Sequence, residues 1–275
     1  MSRVLITGAN GFLGRNLCRR FKERGHEVFC WLRGDAVSSI GKFQPEYVIH
    51  CAGEIYNAAL MIDSNISLTE SILKQVSGYG RTKLKRFIYL GSSSEYGRML
   101  RPSSETDVPN PSNMYEATKT AGALITQAYG KKNGFKTSIV RPYSIFGEFE
   151  PPHRFIPTLY ISSKAGLLVK IYSGAHDFLY VEDFVNAVEL VTFADLPSDI
   201  VNVGSGVSVS NELLVETFEE ALGRSISRER VSETLRDYDS DFWCANISYA
   251  KHAYGWSPKF TLEEGLVAYI NSFAK

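Results

Sequence analysis

Three glycines spaced three apart, directly after an apolar run, restrict the opening of this chain to one kind of junction. Arg3-Val-Leu-Ile-Thr7 reads as a buried strand, and Thr7-Gly8-Ala9-Asn10-Gly11-Phe12-Leu13-Gly14 follows it. Glycine at 8 permits a tight turn. At 11 it lets the backbone approach a pyrophosphate, and at 14 it lets the next helix pack closely on the sheet. A helix over 11–25 then starts with free N–H groups turned to the loop, a place for an anion. A glycine triplet alone also serves as a plain strand–helix turn. Its position, as the first βα junction of an alternating chain, favours the dinucleotide reading.

The alternation is regular through the first half. Apolar runs at 27–32, 47–52, 86–90 and 136–141 are interleaved with helical patterns at 64–77 and 115–132. Such a chain makes right-handed βαβ crossovers and a parallel sheet covered on both faces. The pattern breaks after Gly147, at Glu148-Phe-Glu-Pro-Pro-His153. Beyond it, short strands mix with helices at 183–194 and Asn211–Leu222, and Phe178-Leu-Tyr-Val181 reads as a further strand near the sheet. The expected fold is α/β: a Rossmann-type doubly wound parallel sheet with a smaller C-terminal α/β substrate lobe. The dinucleotide domain takes residues 1–147 and about 178–203; the lobe takes about 148–177 and 204–275.

Thirty basic and thirty acidic side chains cancel over 275 residues, so no global field recruits nucleic acid or an anionic membrane. The basic cluster Arg81-Thr-Lys-Leu-Lys-Arg86 reads as a solvated face before a strand. Four cysteines (Cys18, Cys30, Cys51, Cys244) have no metal-ligand spacing and fit buried or incidental thiols of a reducing compartment. No metal is expected. With no signal peptide and no apolar run long enough to span a bilayer, the expected location is cytoplasmic.

Two positions bear on chemistry. Tyr115 and Lys119, four apart on a helix, share a face. An ammonium beside a phenol favours the phenolate and makes the pair an acid or base near neutral pH; most such pairs are merely solvated helix faces. At the end of the second strand stands Trp31-Leu32-Arg33-Gly34, with no carboxylate until Asp35. A carboxylate there would bond the ribose 2′-hydroxyl of NAD, whereas an arginine accommodates the 2′-phosphate of NADP. Arg33 is read as that partner, so NADP (NADPH) is preferred and NAD remains possible. The alternative for Arg33 is an exposed loop arginine.

Taken together, these residues resemble the extended short-chain dehydrogenase/reductase family, in its nucleotide-sugar branch of epimerases, dehydratases and 4-keto reductases. The resemblance rests on 7–14, His50-Cys-Ala-Gly53, Leu90-Gly-Ser-Ser-Ser-Glu-Tyr-Gly97, 115–119 and Arg141-Pro-Tyr-Ser-Ile-Phe-Gly147. It continues through Asp177-Phe-Leu-Tyr-Val-Glu-Asp183, Val201-Asn-Val-Gly-Ser-Gly206 and Tyr254-Gly-Trp-Ser-Pro258, over nearly the whole chain. It implies that Tyr115 is the acid/base. Lys119 then holds the nicotinamide ribose and lowers the tyrosine's pKa, and Ser92 bonds the substrate oxygen. Gly8, Asn10, Gly11, Phe12, Leu13, Gly14, Arg33, Cys51, Ala52, Gly53 and Pro142 would line the cofactor, with Tyr115 and Lys119 touching it too. Ser93, Ser94, Ser144, Arg154 and His176 would face the substrate.

Within that branch, a 4,6-dehydratase sets an acidic pair, or at least a Glu, just after the position of Ser92. Here those positions are Ser93 and Ser94, and Glu95 comes one later, where the family usually has an apolar residue. The expected reaction is NADPH-dependent reduction of a 4-keto-6-deoxy nucleotide sugar. A 4-epimerase with tightly held NAD and a reductase of a non-nucleotide carbonyl are the alternatives. Ser144 and His176 stand where many relatives carry an Asn and an Arg, which leaves Arg154 as a candidate phosphate cation or an exposed loop arginine. The resemblance further implies a homodimer through the helices over 64–77 and 115–132, whose Ile66, Leu73, Leu124 and Ile125 fit an interface or an ordinary core.

Overall fold

The fold was analysed in a computed structural model that describes residues 1–78, 84–234 and 242–273. The chain opens with β1 (Arg3–Thr7), α1 (Phe12–Glu23), β2 (Glu27–Trp31), α2 (Ser38–Phe43) and β3 (Tyr47–His50). Next come α3 (Ala58–Met61), a π-helical turn (Ile62–Ser67), α4 (Leu68–Ser77), β4 (Arg86–Leu90) and a 3₁₀ turn (Ser93–Tyr96). The middle runs through α5 (Met114–Asn133), β5 (Lys136–Pro142), β6 (Ser144–Phe146), α6 (Phe155–Ala165), β7 (Val169–Ser173), β8 (Ala175–His176) and β9 (Phe178–Tyr180). The chain closes with α7 (Val181–Phe193), β10 (Asp199–Val203), β11 (Val209–Ser210), α8 (Asn211–Leu222), β12 (Arg228–Thr234), α9 (Ser248–Tyr254) and α10 (Leu262–Ser272).

Six strands form one parallel sheet in the order β10-β5-β4-β3-β1-β2. The apolar side chains of its strands alternate between two cores, as the two-residue strand period requires. Val4, Ile6, Ile49, Ile88 and Val140 join Leu17, Phe21, Val188 and Val191 on one face. Leu5, Val48, Phe87 and Ile139 join Ile72, Leu73 and Val76 on the other. The chain runs from β1 outward to β2 and then returns to the other side of β1 as β3. That reversal opens a crevice at the carboxyl ends of β1 and β3, the place where doubly wound sheets bind ligands.

The remaining strands form three pairs outside this sheet: β6 with β9, β7 with β12, and β8 with β11. Phe178–Tyr180, expected as a strand near the large sheet, pairs with Ser144–Phe146 and shares a core with the sheet's Val140 and Val203, while the strand beside β5 is Asp199–Val203. Of the basic cluster at 81–86, residues 81–83 lie outside the described residues. Arg86 is buried, not solvated: it donates to Ser138 Oγ (2.6 Å) and to the carbonyls of Ala194 (3.0 Å) and Leu196 (2.6 Å). It thereby ties the α7–β10 connection to the sheet. Of the four apolar residues at the expected dimer helices, Leu73 is core and Leu124 is 59% exposed. All four cysteines are free. No helix among the described residues is long and apolar enough to cross a membrane.

Candidate active site

The crevice begins where β1 ends. Gly8 has φ +62°, and a Cβ there would lie 2.8 Å from the Ala52 nitrogen at the end of β3. A Cβ on Gly14 would lie 2.2 Å from the Gly8 carbonyl oxygen. Both positions therefore exclude any side chain. Thr7 Oγ1 accepts the Ala52 N–H (3.2 Å) and lies 2.7 Å from His50 Nδ1, while His50 Nε2 meets Thr69 Oγ1 at 2.9 Å. Burial depresses His50 to about 3, so it is a neutral linker between β1, β3 and α4. Gly11 caps α1 without a side-chain hydrogen bond, so the first N–H groups of the helix, from Phe12 to Gly14, are left to a ligand. This bare, uncapped helix start beside a turn with glycine at both ends fits a dinucleotide pyrophosphate.

At the edge of the crevice, Asp35 turns its carboxylate back onto the Leu32 N–H (2.8 Å). Arg33 is 80% exposed, with its guanidinium 3.6 Å from Glu54. Glu54 Oε1 accepts the N–H groups of Ile55, Tyr56 and Asn57. These bonds, opposed by burial and helped by Arg33, hold its carboxyl below the usual range. Buried Asn65, in the π-helical turn, accepts the Glu54 N–H (2.7 Å) and donates to the Glu54 carbonyl and to Thr118 Oγ1. π-helical turns recur at functional sites, and this one fixes the loop after Gly53 against the helix that carries Lys119.

Tyr115 lies in the first turn of α5, whose N-cap Asn113 accepts the Glu116 N–H at 3.0 Å. Burial raises the Tyr115 phenol, while the Ser92 hydroxyl pulls the other way. The net direction is upward, opposite to the expected lowering. Lys119 instead donates its Nζ to the Leu90 carbonyl and lies 4.5 Å from the Tyr89 ring centroid. Burial pushes Lys119 down to about 8, against the Glu95 and Cys51 charges that favour the ammonium. A Cβ on Gly53 would come within 3.9 Å of this Nζ, so Lys119 reaches the end of β3 as well as that of β4.

Ser92 follows β4 and caps the 3₁₀ turn: its Oγ accepts the Ser94 N–H (3.2 Å) and sits 2.5 Å from Ser94 Oγ. Ser93 Oγ accepts the indole N–H of Trp243 (3.1 Å), brought from the C-terminal part. Glu95 is fully buried, accepting the Ser92 N–H (2.8 Å) and pairing with Arg141 (2.9 Å). Arg154, the N-cap of α6, pairs with Glu150 at 2.8 Å and acts on Tyr115 through its charge. Burial lifts Glu150 to about 7, against the pull of Arg154. Ser144 opens β6 and donates its N–H to the Asp177 carbonyl (2.9 Å), while His176 ends β8 opposite Val209, its ring 5.7 Å from that of Phe178. Pro142 ends β5 opposite Val203.

Thus Ser92, Tyr115, Lys119 and Arg154 gather at the ends of β4 and α5, with the glycine loop and Cys51–Gly53 beside them. Glu54, Asn65 and Trp243 escaped the sequence reading. Asn65 lies within an unremarkable helical pattern, and Trp243 is reached only by long-range folding. A metal cluster is absent among the described residues.

Known proteins share this fold. A dTDP-glucose 4,6-dehydratase of Streptomyces griseus is 23% identical, over 100% of this chain and 94% of its own. A UDP-glucuronate 4-epimerase of Thermodesulfobacterium geofontis is 28% identical, over 82% of this chain and 71% of its own. Among solved structures, the UDP-glucose 4-epimerase of Thermotoga maritima with UDP-glucose superposes with a TM-score of 0.90 at 22% identity, covering 99% of this chain and 98% of that one. MoeE5 in complex with UDP-glucuronic acid and NAD gives 0.89 at 24% identity, covering 99% of both. The model of the NAD dependent epimerase/dehydratase family matches residues 4–204, and the chain belongs to that family of short-chain dehydrogenase/reductase-type enzymes.

Proposed function

We propose that the protein is an NADPH-dependent reductase of a 4-keto-6-deoxy nucleotide sugar. The observation that carries this reading is the turn after β4. Positions 93 and 94 are serines, and the Glu95 carboxylate is consumed by the Ser92 N–H and Arg141. An elimination needs an acid and a base in addition to the tyrosine, whereas a reduction needs one proton donor at the carbonyl oxygen. Tyr115, kept protonated by burial, is suited to donate that proton. Ser92 Oγ bonds the same oxygen and supports the charge that develops on it. Lys119 holds the nicotinamide ribose.

When bound, the dinucleotide supplies the hydride. Gly8, Asn10, Gly11, Phe12, Leu13 and Gly14 would cradle its pyrophosphate, Cys51, Ala52, Gly53 and Pro142 would line it, and Arg33 would meet a 2′-phosphate. Ser93, Ser94, Ser144 and His176 would face the sugar, with Arg154 as the cation for the diphosphate. A 4-epimerase with retained NAD is the second reading; the epimerases among its relatives support it.

The test is incubation with NADPH and 4-keto-6-deoxy nucleotide sugars of different bases. Loss of NADPH absorbance, matched by the 4-hydroxy product, is expected. Inversion at C4 of a nucleotide sugar with NAD, and no NADPH consumption across the panel, would sink the reductase and leave the epimerase.

A further inference from the structure

Glu95 places a buried charge where the resembling family usually has an apolar residue, and none of the roles above uses it. We infer that Glu95, paired with Arg141, is a positioning residue that aims the Ser92 hydroxyl at the substrate's carbonyl oxygen. This deepens the reading given under Proposed function and rests on it.

The geometry is a clamp. Glu95 Oε1 accepts the Ser92 N–H at 2.8 Å, while Oε2 accepts Arg141 Nε at 3.0 Å and pairs with Arg141 Nη2 at 2.9 Å. Arg141 comes from β5 and lies 4.3 Å from the Tyr96 ring centroid, and Tyr96 Oη donates to Asn202 Oδ1 on β10 at 2.8 Å. The turn after β4 is therefore tied to both strands on that side of the sheet. A Cβ on Gly91 would fall 2.3 Å from Glu95 Oε1, so the preceding glycine keeps this room open. With its backbone fixed, Ser92 is left with its Oγ bonded to Ser94, and its hydroxyl pulls the Tyr115 phenol down against burial. An apolar residue at 95 would leave the Ser92 N–H without this acceptor and Arg141 without a counter-charge. A buried ion pair is a weak source of stability compared with a packed apolar pair. Its presence here fits orientation better than it fits holding the fold together.

The test uses the full chain with two changes: Glu95→Gln, and the exchange Glu95→Val with Arg141→Met, which removes both charges and strands neither. Ser92→Ala is added in each background. The exchange variant should keep its melting midpoint and dinucleotide affinity, lose on the order of 100-fold in kcat with KM little changed, and lose nothing further from Ser92→Ala. Glu95→Gln, which retains an oxygen for the Ser92 N–H, should recover part of that loss. Retained kcat in the exchange variant, or a Ser92→Ala loss of full size in its background, would overturn the inference. If the chain epimerises and reduces nothing, the reductase reading fails, and the same cycle run on epimerisation still decides the role of Glu95. If neither activity is found, amide exchange at Ser92 decides: faster exchange in the exchange variant at unchanged melting upholds the clamp, and equal exchange removes it.

Discussion

Around Gly8 and Ala52 the site is made of backbone; around Tyr115 and Arg154 it is made of side chains carried in from several elements. On the first side, the strand register sets β1 beside β3, and a glycine at each close approach lets the turns meet. On the second, Ser92, Tyr115, Lys119 and Arg154 come from a turn, a helix and a distant loop; Ser92 is held by Glu95, Lys119 by the Leu90 carbonyl and Arg154 by Glu150, while Tyr115 is set by the capped first turn of α5. The backbone side tolerates no added atom but asks little of side-chain identity. The side-chain side has room for exchange, but each group carries a separate task in the proposed reaction. Changes at the glycines should therefore cost dinucleotide binding, and changes at Ser92 and Tyr115 should cost turnover, while Lys119, proposed to hold the nicotinamide ribose, should cost both.

The largest effect should come from Tyr115→Phe. Removing one hydroxyl from a half-buried ring deletes the proposed proton donor and leaves the packing in place. A general acid contributes on the order of 10²–10⁴ in rate, so kcat should fall by roughly a thousandfold while dinucleotide affinity stays within about twofold. Stopped-flow reduction and fluorescence titration measure the two quantities. If binding falls together with turnover, the two sides are not separable and the comparison breaks.

Gly14→Ala probes the opposite side. Its Cβ would fall 2.2 Å from the Gly8 carbonyl oxygen, with backbone and not a flexible side chain in the way. Overpacking of this kind costs about 1–3 kcal/mol, so dinucleotide affinity should drop by about 10- to 100-fold. Any turnover that remains at saturating cofactor should keep a kcat near that of the parent. Titration calorimetry and saturation kinetics read both, and unchanged affinity would show that α1 can back away from the loop.

This division also explains what could be read from the sequence. Arg86–Leu90 and Asn211–Leu222 have the bounds expected from apolar runs and helical spacing, because buried parallel strands and amphipathic helices write their periods locally. The glycine triplet was legible for the same reason. Phe178–Tyr180 was legible as a strand but not as the partner of Ser144–Phe146, since period alone does not choose between sheets. The clamp joins residues 46 apart, and the Trp243–Ser93 bond joins residues 150 apart. No local pattern encodes such meetings. Glu95 was visible only as a carboxylate out of place, and its partner required the β4–β5 pairing. The direction of the Tyr115 shift could not be read from the spacing of the pair, because burial, a product of the whole fold, sets it and Lys119 is turned to the Leu90 carbonyl.

The smallest effect should come from Arg33→Ala, which tests whether cofactor choice belongs to the backbone side at all. Arg33 is exposed, so a contact to a 2′-phosphate forms in high dielectric and is screened by salt. Its guanidinium already has Glu54 at 3.6 Å, and a phosphate must compete with that carboxylate. A single charge-assisted contact under these conditions should be worth roughly tenfold in NADP affinity at low salt, less at high salt, and nothing for NAD. Parallel titrations with both cofactors at two ionic strengths measure this. A salt-dependent loss for NADP alone would show that the backbone cradle binds either dinucleotide and that one side chain at its rim selects between them. An equal loss for both would mean that Arg33 acts by way of Glu54, whose other oxygen orders residues 55–57, and selection would then have to lie elsewhere along β2.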